Sequence, residues 1–377
     1  MKKISAIILG ICVLVGCSTE DPFSELKEKA EVFELGGAKK LQLTKDPGFS
    51  IGSYETFNNI GDVTADAEGR FFVINNHRAR IEVFSRQGEH LRSLGRSGSD
   101  PGEFQNPVQL QTDAQFLYVF DKDLQQLNLF RLNDLEVEGA INLNAAHLFS
   151  ADSIQTAIPF TFELLSENAV MVGFRITKSP QDQQELYVKV GKEGKLIGEP
   201  LFRFKGKSLY VDDTMTTTVI MELPYAPETL IKTGADASIY VLNTSDFLVR
   251  KLNQDAKFQE ARYYPMEKRP LNKQDVVDSY TNVYYRRAIR AATLPATWPA
   301  VDHFLTDDEG RIWVATIIAQ PDQFRWYVLD DSGSPLYTFD LPRMETILLI
   351  KDHRVYVRRY NSRGYSDEIL RYRFDED

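Results

Sequence analysis

Residues 61–94 read GDVTADAEGRFFVINNHRARIEVFSRQGEHLRSL, and this stretch decides the fold. Residues 61–66 make an inner strand, Ala67-Glu68-Gly69 a turn, and residues 70–74 a second strand. Residues 81–84 form a third, Arg86-Gln87-Gly88 turns the chain, and residues 90–94 close a fourth. Four short strands separated by glycine turns make one blade of a radial array.

Phe72-Val73 in this unit is the first of six places where a bulky residue precedes Val inside a short apolar run. The others are Tyr118-Val119, Met171-Val172, Tyr240-Val241, Trp313-Val314 and Tyr356-Val357. The valines lie 46, 53, 69, 73 and 43 residues apart. That is the spacing of four-stranded propeller blades, stretched twice by insertions. The expected fold is therefore an all-β, six-bladed β-propeller. One closed ring counts as one domain, so 377 residues need no further division. A content of 43% hydrophobic and 11% aromatic residues is enough for the core such a ring needs.

Beyond the first unit, Asn76-His77-Arg78-Ala79-Arg80-Ile81-Glu82-Val83-Phe84 is followed by Gly95-Arg96-Ser97-Gly98-Ser99-Asp100-Pro101-Gly102-Glu103-Phe104 and Asn106-Pro107. This resembles the NHL-repeat family, in which an Asn-x-Arg turn, a strand ending in Phe and a Gly/Pro-rich link recur from blade to blade. The resemblance is specific over residues 60–132 and architectural beyond them. It implies a six-bladed ring. Asp307 and Gly310 echo Asp66 and Gly69 at the same offset, which places a like turn in the fifth blade.

The last unit supplies only three strands before the chain stops. An open edge in a closed ring is costly, so a fourth strand is expected from the N-terminal side, at residues 32–35 or 40–43. On this reading residues 1–16 are a signal peptide, 17–31 a tether and 32–377 the propeller.

Lys2-Lys3 and an apolar stretch over residues 4–14 form an export signal too short to span a bilayer. It ends in Leu14-Val15-Gly16-Cys17, which resembles the bacterial lipobox and makes Cys17 the lipidated residue. Ser18, Thr19, Glu20 and Asp21 then resemble the export signal of bacterial surface lipoproteins. The expected location is the bacterial cell envelope, anchored by lipid to the outer membrane on its periplasmic or outer side. Cys12 falls in the signal, so the mature chain has no disulfide. Without residues 1–16 the chain carries 42 basic and 54 acidic residues, a net charge of −12. That balance argues against nucleic acid, whose binding rests on neutralising phosphates. It also leaves contact with the membrane to the acyl chains.

The long insertions, residues 144–159, 205–227 and 265–300, all fall in links between blades, and so on one face of the ring. Insertions gathered there mark a binding side, or loop growth that costs little entropy. One helix is expected near residues 272–291, with Asn272 as its cap and Arg286, Arg287 and Arg290 near its end. Those arginines suit the helix dipole or a carboxylate or sulfate ligand. The candidate binding face comprises Asn75, His77, Arg78, Asp121, Lys122, Arg175, Asp246, Arg286, Arg287, Arg290 and His303. Asp302-His303 on an inner strand reads as a structural pair or as a group facing the channel.

No catalytic residue is identified. The five histidines have no metal-ligand spacing, and no Gly-x-Ser-x-Gly elbow occurs. Two readings stand. In one, the protein is a non-enzymatic module for a protein, peptide or glycan, with no cofactor. In the other it is a channel-mouth hydrolase or lyase of the lactonase-like six-bladed type, whose divalent metal would be held by side chains from separate blades.

Overall fold

The computed structural model describes residues 24–52, 60–150, 154–180, 182–212, 219–320, 322–361 and 366–375. Six four-stranded antiparallel units form the blades of a β-propeller, five of them in chain order. Blade 1 is Ile60–Ala65, Phe71–Asn75, Arg80–Phe84 and His90–Leu94, as its sequence predicts. Blade 2 spans Pro107–Thr112 to Val137–Asn142, blade 3 Ile158–Ser166 to Phe202–Lys205, and blade 4 Thr229–Thr233 to Phe258–Tyr263. Blade 5 runs from Val301–Thr306 to Pro335–Pro342, and blade 6 from Glu345–Lys351 through Arg354–Asn361 to Ser366–Arg373.

Val73, Val119, Val172, Val241, Val314 and Val357 all lie on second strands and all are fully buried. They face the apolar layers between blades. Six hydrophobic clusters occupy the six junctions, each built from the facing sides of two neighbouring blades. The repeat in the sequence is thus the repeat of these layers, where each large buried side chain contributes about 1.5–3 kcal/mol.

The echoed turns are alike in detail. Asp66 accepts the Arg70 amide at 2.9 Å and the Arg70 Nε at 2.6 Å. Asp307 accepts the Arg311 amide at 2.8 Å and the Arg311 Nε at 2.6 Å. Gly69 and Gly310 take φ of 81° and 79°, the left-handed conformation that this turn demands.

An N-terminal strand does close the ring, but it is not at residues 32–35 or 40–43. Strand β1 (Glu31–Val32) pairs in parallel with the outer strand of blade 4, and β2 (Lys39–Lys40) with that of blade 5. Strand β3 (Thr44–Ile51) then completes blade 6, antiparallel to Ser366–Arg373, with Ile51 opposite Ile369 and Thr44 opposite Arg373. Asp46-Pro47-Gly48 inside β3 reads as a turn in sequence. It is tolerated because β3 is an outermost strand and its register shifts where the Pro lies. Phe49 and Ile51 are buried, and the Phe49 ring meets those of Phe71 and Tyr356.

Candidate functional site

Because strands alternate in direction, the turns between second and third strands and the links between blades leave the ring on one side. The other turns leave it on the opposite side. The long links differ in what they build. In the first link, Ala145–Leu148 form a short helix α1, and Phe149 and Ala157 join the layer between blades 2 and 3. The other two pack on each other. A hairpin of Leu209–Asp212 and Val219–Glu222 lies against helices α2 (Lys273–Asp278) and α3 (Val283–Ala291). Met221, Val276, Val277, Ala288 and Ile289 form the core of this cap, and the rings of Tyr225 and Trp298 meet at 4.6 Å beside it.

The single helix expected near 272–291 is therefore two. Asn272 caps the first by accepting the Gln274 amide. The Asn282 carbonyl accepts the amides of Tyr284 and Tyr285, which starts a second helix and ends the first before it.

Beneath the cap, blade 3 holds a polar cluster that the sequence reading touched only at Arg175. Arg175 lies 3.6 Å from the buried Glu185, and its guanidinium sits 4.8 Å from the centre of the Phe160 ring. The Arg175 Nε is buried without a hydrogen-bond partner. Tyr187 directs its hydroxyl toward Glu185 at 3.5 Å. Lys207 bridges Glu222 of the hairpin at 3.0 Å and Glu228 at 3.3 Å. Burial pushes the Glu185 carboxyl above its ordinary value, while Arg175 and Lys207 draw it partly back. The sequence signal for this cluster is Gln183-Gln184-Glu185, three consecutive polar residues that are all buried at the start of a strand.

The axial cavity, about 880 Å³, is lined by all six inner strands. Its lining reaches Asp113, Glu167, Gly234 and Ala237, so it extends to the side away from the insertions. Its polar groups stitch neighbouring blades together. Glu163 accepts from Lys232 at 2.8 Å and Gln111 at 3.0 Å, and Gln109 accepts from the Phe162 amide at 3.1 Å. Asp62 accepts the amides of Val63 and Leu110. Its carboxyl is raised by burial, which these two bonds only partly offset. Burial draws the Lys232 ammonium down, but the attraction of Glu163 leaves it above its ordinary value. Among the described residues, no three His, Cys, Asp or Glu side chains gather where they could hold a metal ion.

The residues singled out from sequence occupy different roles. Cys17 lies outside the described residues. Asn75 and Asp121 are buried turn builders. Asp121 accepts four amides, from Gln105, Asn106, Asp123 and Leu124. Asn75 donates to the buried Glu82 at 3.2 Å, leaving His77 and Arg78 exposed in the next turn, as Lys122 is in blade 2. Asp246 joins Lys27 at 2.9 Å and Lys268 at 3.1 Å. Arg286 pairs with Asp278 at 3.0 Å, while Arg287 and Arg290 lie exposed along α3. His303 bonds Asp302 at 2.8 Å and sets its ring edgewise to Trp326 and Phe324, inside blade 5 and outside the cavity lining.

Residues 55–194 match a family model described as a 6-bladed beta-propeller. The match covers blades 1 and 2 and most of blade 3. The chain is a six-bladed β-propeller. The same plan runs through the unmatched remainder. Two solved structures share the fold. One is described as an exported protein from Bacteroides fragilis, with TM-score 0.53, 9% identity, 92% of this chain covered and 99% of the other. The second is a member of the DUF4221 family from Bacteroides vulgatus, with TM-score 0.51, 10% identity, 89% of this chain covered and 98% of the other. No curated protein matches the chain.

Proposed function

We propose that this propeller is a lipid-anchored, extracytoplasmic binding module that takes a protein, peptide or glycan on its insertion-bearing face. The observation that carries the reading is the common core of the hairpin and the two helices. Loop growth without a role has no need of a core, whereas two insertions that fold onto each other build a surface. Beside that surface the Arg175 guanidinium lies over an aromatic ring with one buried N–H unbonded. Such a group suits a carboxylate, a peptide carbonyl or a sugar hydroxyl. The lipobox-like Leu14-Val15-Gly16-Cys17 supports the anchor, and the fold shared with a Bacteroides fragilis protein described as exported agrees with the location.

The test is an array of bacterial peptides and envelope glycans probed with purified mature protein. Binding that falls at least about tenfold in Arg175→Ala, and is unchanged in Asn133→Ala on the opposite side, is the expected result. Equal binding by both variants, or a hit that survives Arg175→Ala, refutes the assignment of this face.

A further inference from the structure

The exposed side of the cap gathers aliphatic, tyrosine and arginine side chains. Val283, Tyr284 and Tyr285 on the first turn of α3 are 67%, 53% and 40% exposed, and Ile220 on the adjoining hairpin is 58% exposed. Arg287 and Arg290 stand exposed on the same helix. Residues 265–300 contain six cationic and three acidic side chains, in a chain whose net charge is −10. After Asp278 this insertion has no acid at all. Tyrosines beside aliphatic residues and arginines are the composition of a surface that rests at the boundary of lipid headgroups and acyl chains.

The path of the N-terminal segment brings this surface to a membrane. Lys27 and Lys268 share the carboxylate of Asp246, so the segment leading back to Cys17 is fixed at the root of the insertion that carries α3. Lys27 is the tenth residue after Cys17. A chain of that length spans at most about 35 Å, whatever its conformation. A lipid on Cys17 would therefore lie within about 35 Å of Lys27 at the rim of blade 4, the rim from which the insertion carrying α3 also starts.

We infer that the outer face of α3 and the hairpin is a docking surface for a bilayer bearing anionic headgroups. The apolar and tyrosine side chains enter the interface, and Arg290 meets phosphate oxygens. This rests on the lipid-anchor reading, and goes beyond the expectation that acyl chains alone touch the membrane. The Arg175 cluster, on blade 3, shares none of the side chains named for this surface.

The experiment separates the two ideas. Mass spectrometry of the mature N-terminal peptide reports acylation of Cys17 by itself. Docking is read on a chain starting at residue 18, which has no cysteine, held to vesicles by an N-terminal polyhistidine tag and a nickel-chelating lipid. The vesicles contain phosphatidylethanolamine, phosphatidylglycerol and a headgroup nitroxide. A fluorophore on Thr281→Cys, between the helices, is expected to be quenched several-fold more than one on Asn133→Cys in blade 2. Val283→Ser/Tyr284→Ser and Arg290→Glu should each bring the residue-281 signal down toward that of residue 133. Equal quenching at the two positions, or variants that leave residue 281 unchanged, overturns the docking surface whether or not Cys17 is acylated.

Discussion

The Lys27 ammonium lies 2.9 Å from the Asp246 carboxylate, although 219 residues separate them in the chain. The same ammonium sits 4.5 Å from the centre of the Tyr263 ring, and Phe33 stacks on Tyr264 at 5.5 Å. These contacts begin a strap that passes along blades 4 and 5 before β3 closes blade 6. The strap therefore has a weak part, held by two-residue pairings, and a strong part with a buried core.

The weak part is expected to detach in acid. Burial alone would raise the Asp246 carboxyl, but Lys27 and Lys268 outweigh it and leave the group below its ordinary value. A depressed carboxylate stabilises the folded state above its unfolded pKa of about 3.9, and that contribution is lost as pH falls through the folded value. Limited proteolysis should therefore begin to cut within residues 24–43 only as the pH drops below about 4. Asp246→Asn should show the same cutting at neutral pH, with global melting changed by no more than about 2 °C, since the pair is partly exposed. Resistance of that variant at neutral pH would show that the ion pair does not hold the strap.

The strong part is a different case. Phe49 is 1% exposed, meets Phe71 and Tyr356, and supports the Arg371 guanidinium 4.2 Å from its ring centre. Phe49→Ala is expected to cost about 3–5 kcal/mol in denaturant unfolding. Deletion of residues 24–38 should cost far less, because it leaves both β3 and the buried Leu41 in place. If the deletion were the more damaging change, closure would lie in β1 and β2 after all.

How legible this was depends on the physical source of each signal. The six buried valines repeat because the layers between blades repeat, so a single sequence shows them. The closing strand was hidden because Asp46-Pro47-Gly48 carries turn chemistry, and only its place at the edge of blade 6 makes that sequence acceptable as a strand. The break between α2 and α3 rests on one side chain, Asn282, inside a stretch whose apolar spacing continues across it. Asn75 and Asp121 fall on the candidate binding face in sequence, yet their side-chain carbonyl and carboxylate are consumed by turn amides. Glu185 is harder to read, since Gln183-Gln184-Glu185 signals a polar start to the strand but not that Arg175 on the facing strand and Lys207 beyond the blade come beside it.

Glu82 offers a second acid-sensitive point, in blade 1. It is 3% exposed and accepts hydrogen bonds from Ser93, His90, Arg80 and Asn75. Burial would raise this carboxyl, and the bonds from Ser93, His90 and Arg80 together hold it below its ordinary value. Its contribution is thus complete above the unfolded pKa of about 4.3 and disappears as pH falls through the lower folded value. Glu82→Ala should cost about 3 kcal/mol at neutral pH, since it leaves buried donors unpaired. That deficit should shrink when unfolding is measured near pH 3. A deficit independent of pH would mean that Glu82 acts by packing alone.

Glu185 responds in the opposite sense, and through it the candidate ligand group gains a pH dependence. Its carboxyl is raised by burial and drawn back by Arg175 and Lys207. Arg175→Met should move it further up, which carboxyl-carbon NMR titration of residue 185 would read directly. A group raised above its unfolded value favours folding at low pH, and that advantage declines as pH climbs from about 4.3 to the folded value. When Glu185 is protonated, the Arg175 cation is no longer balanced by its neighbour 3.6 Å away. Affinity for an anionic ligand at this cluster should then rise as pH falls through the Glu185 titration, by about tenfold if the neighbouring charge was worth 1.4 kcal/mol. Titration calorimetry of any anionic hit across that range decides the matter: affinity that does not change with pH would separate Glu185 from ligand recognition.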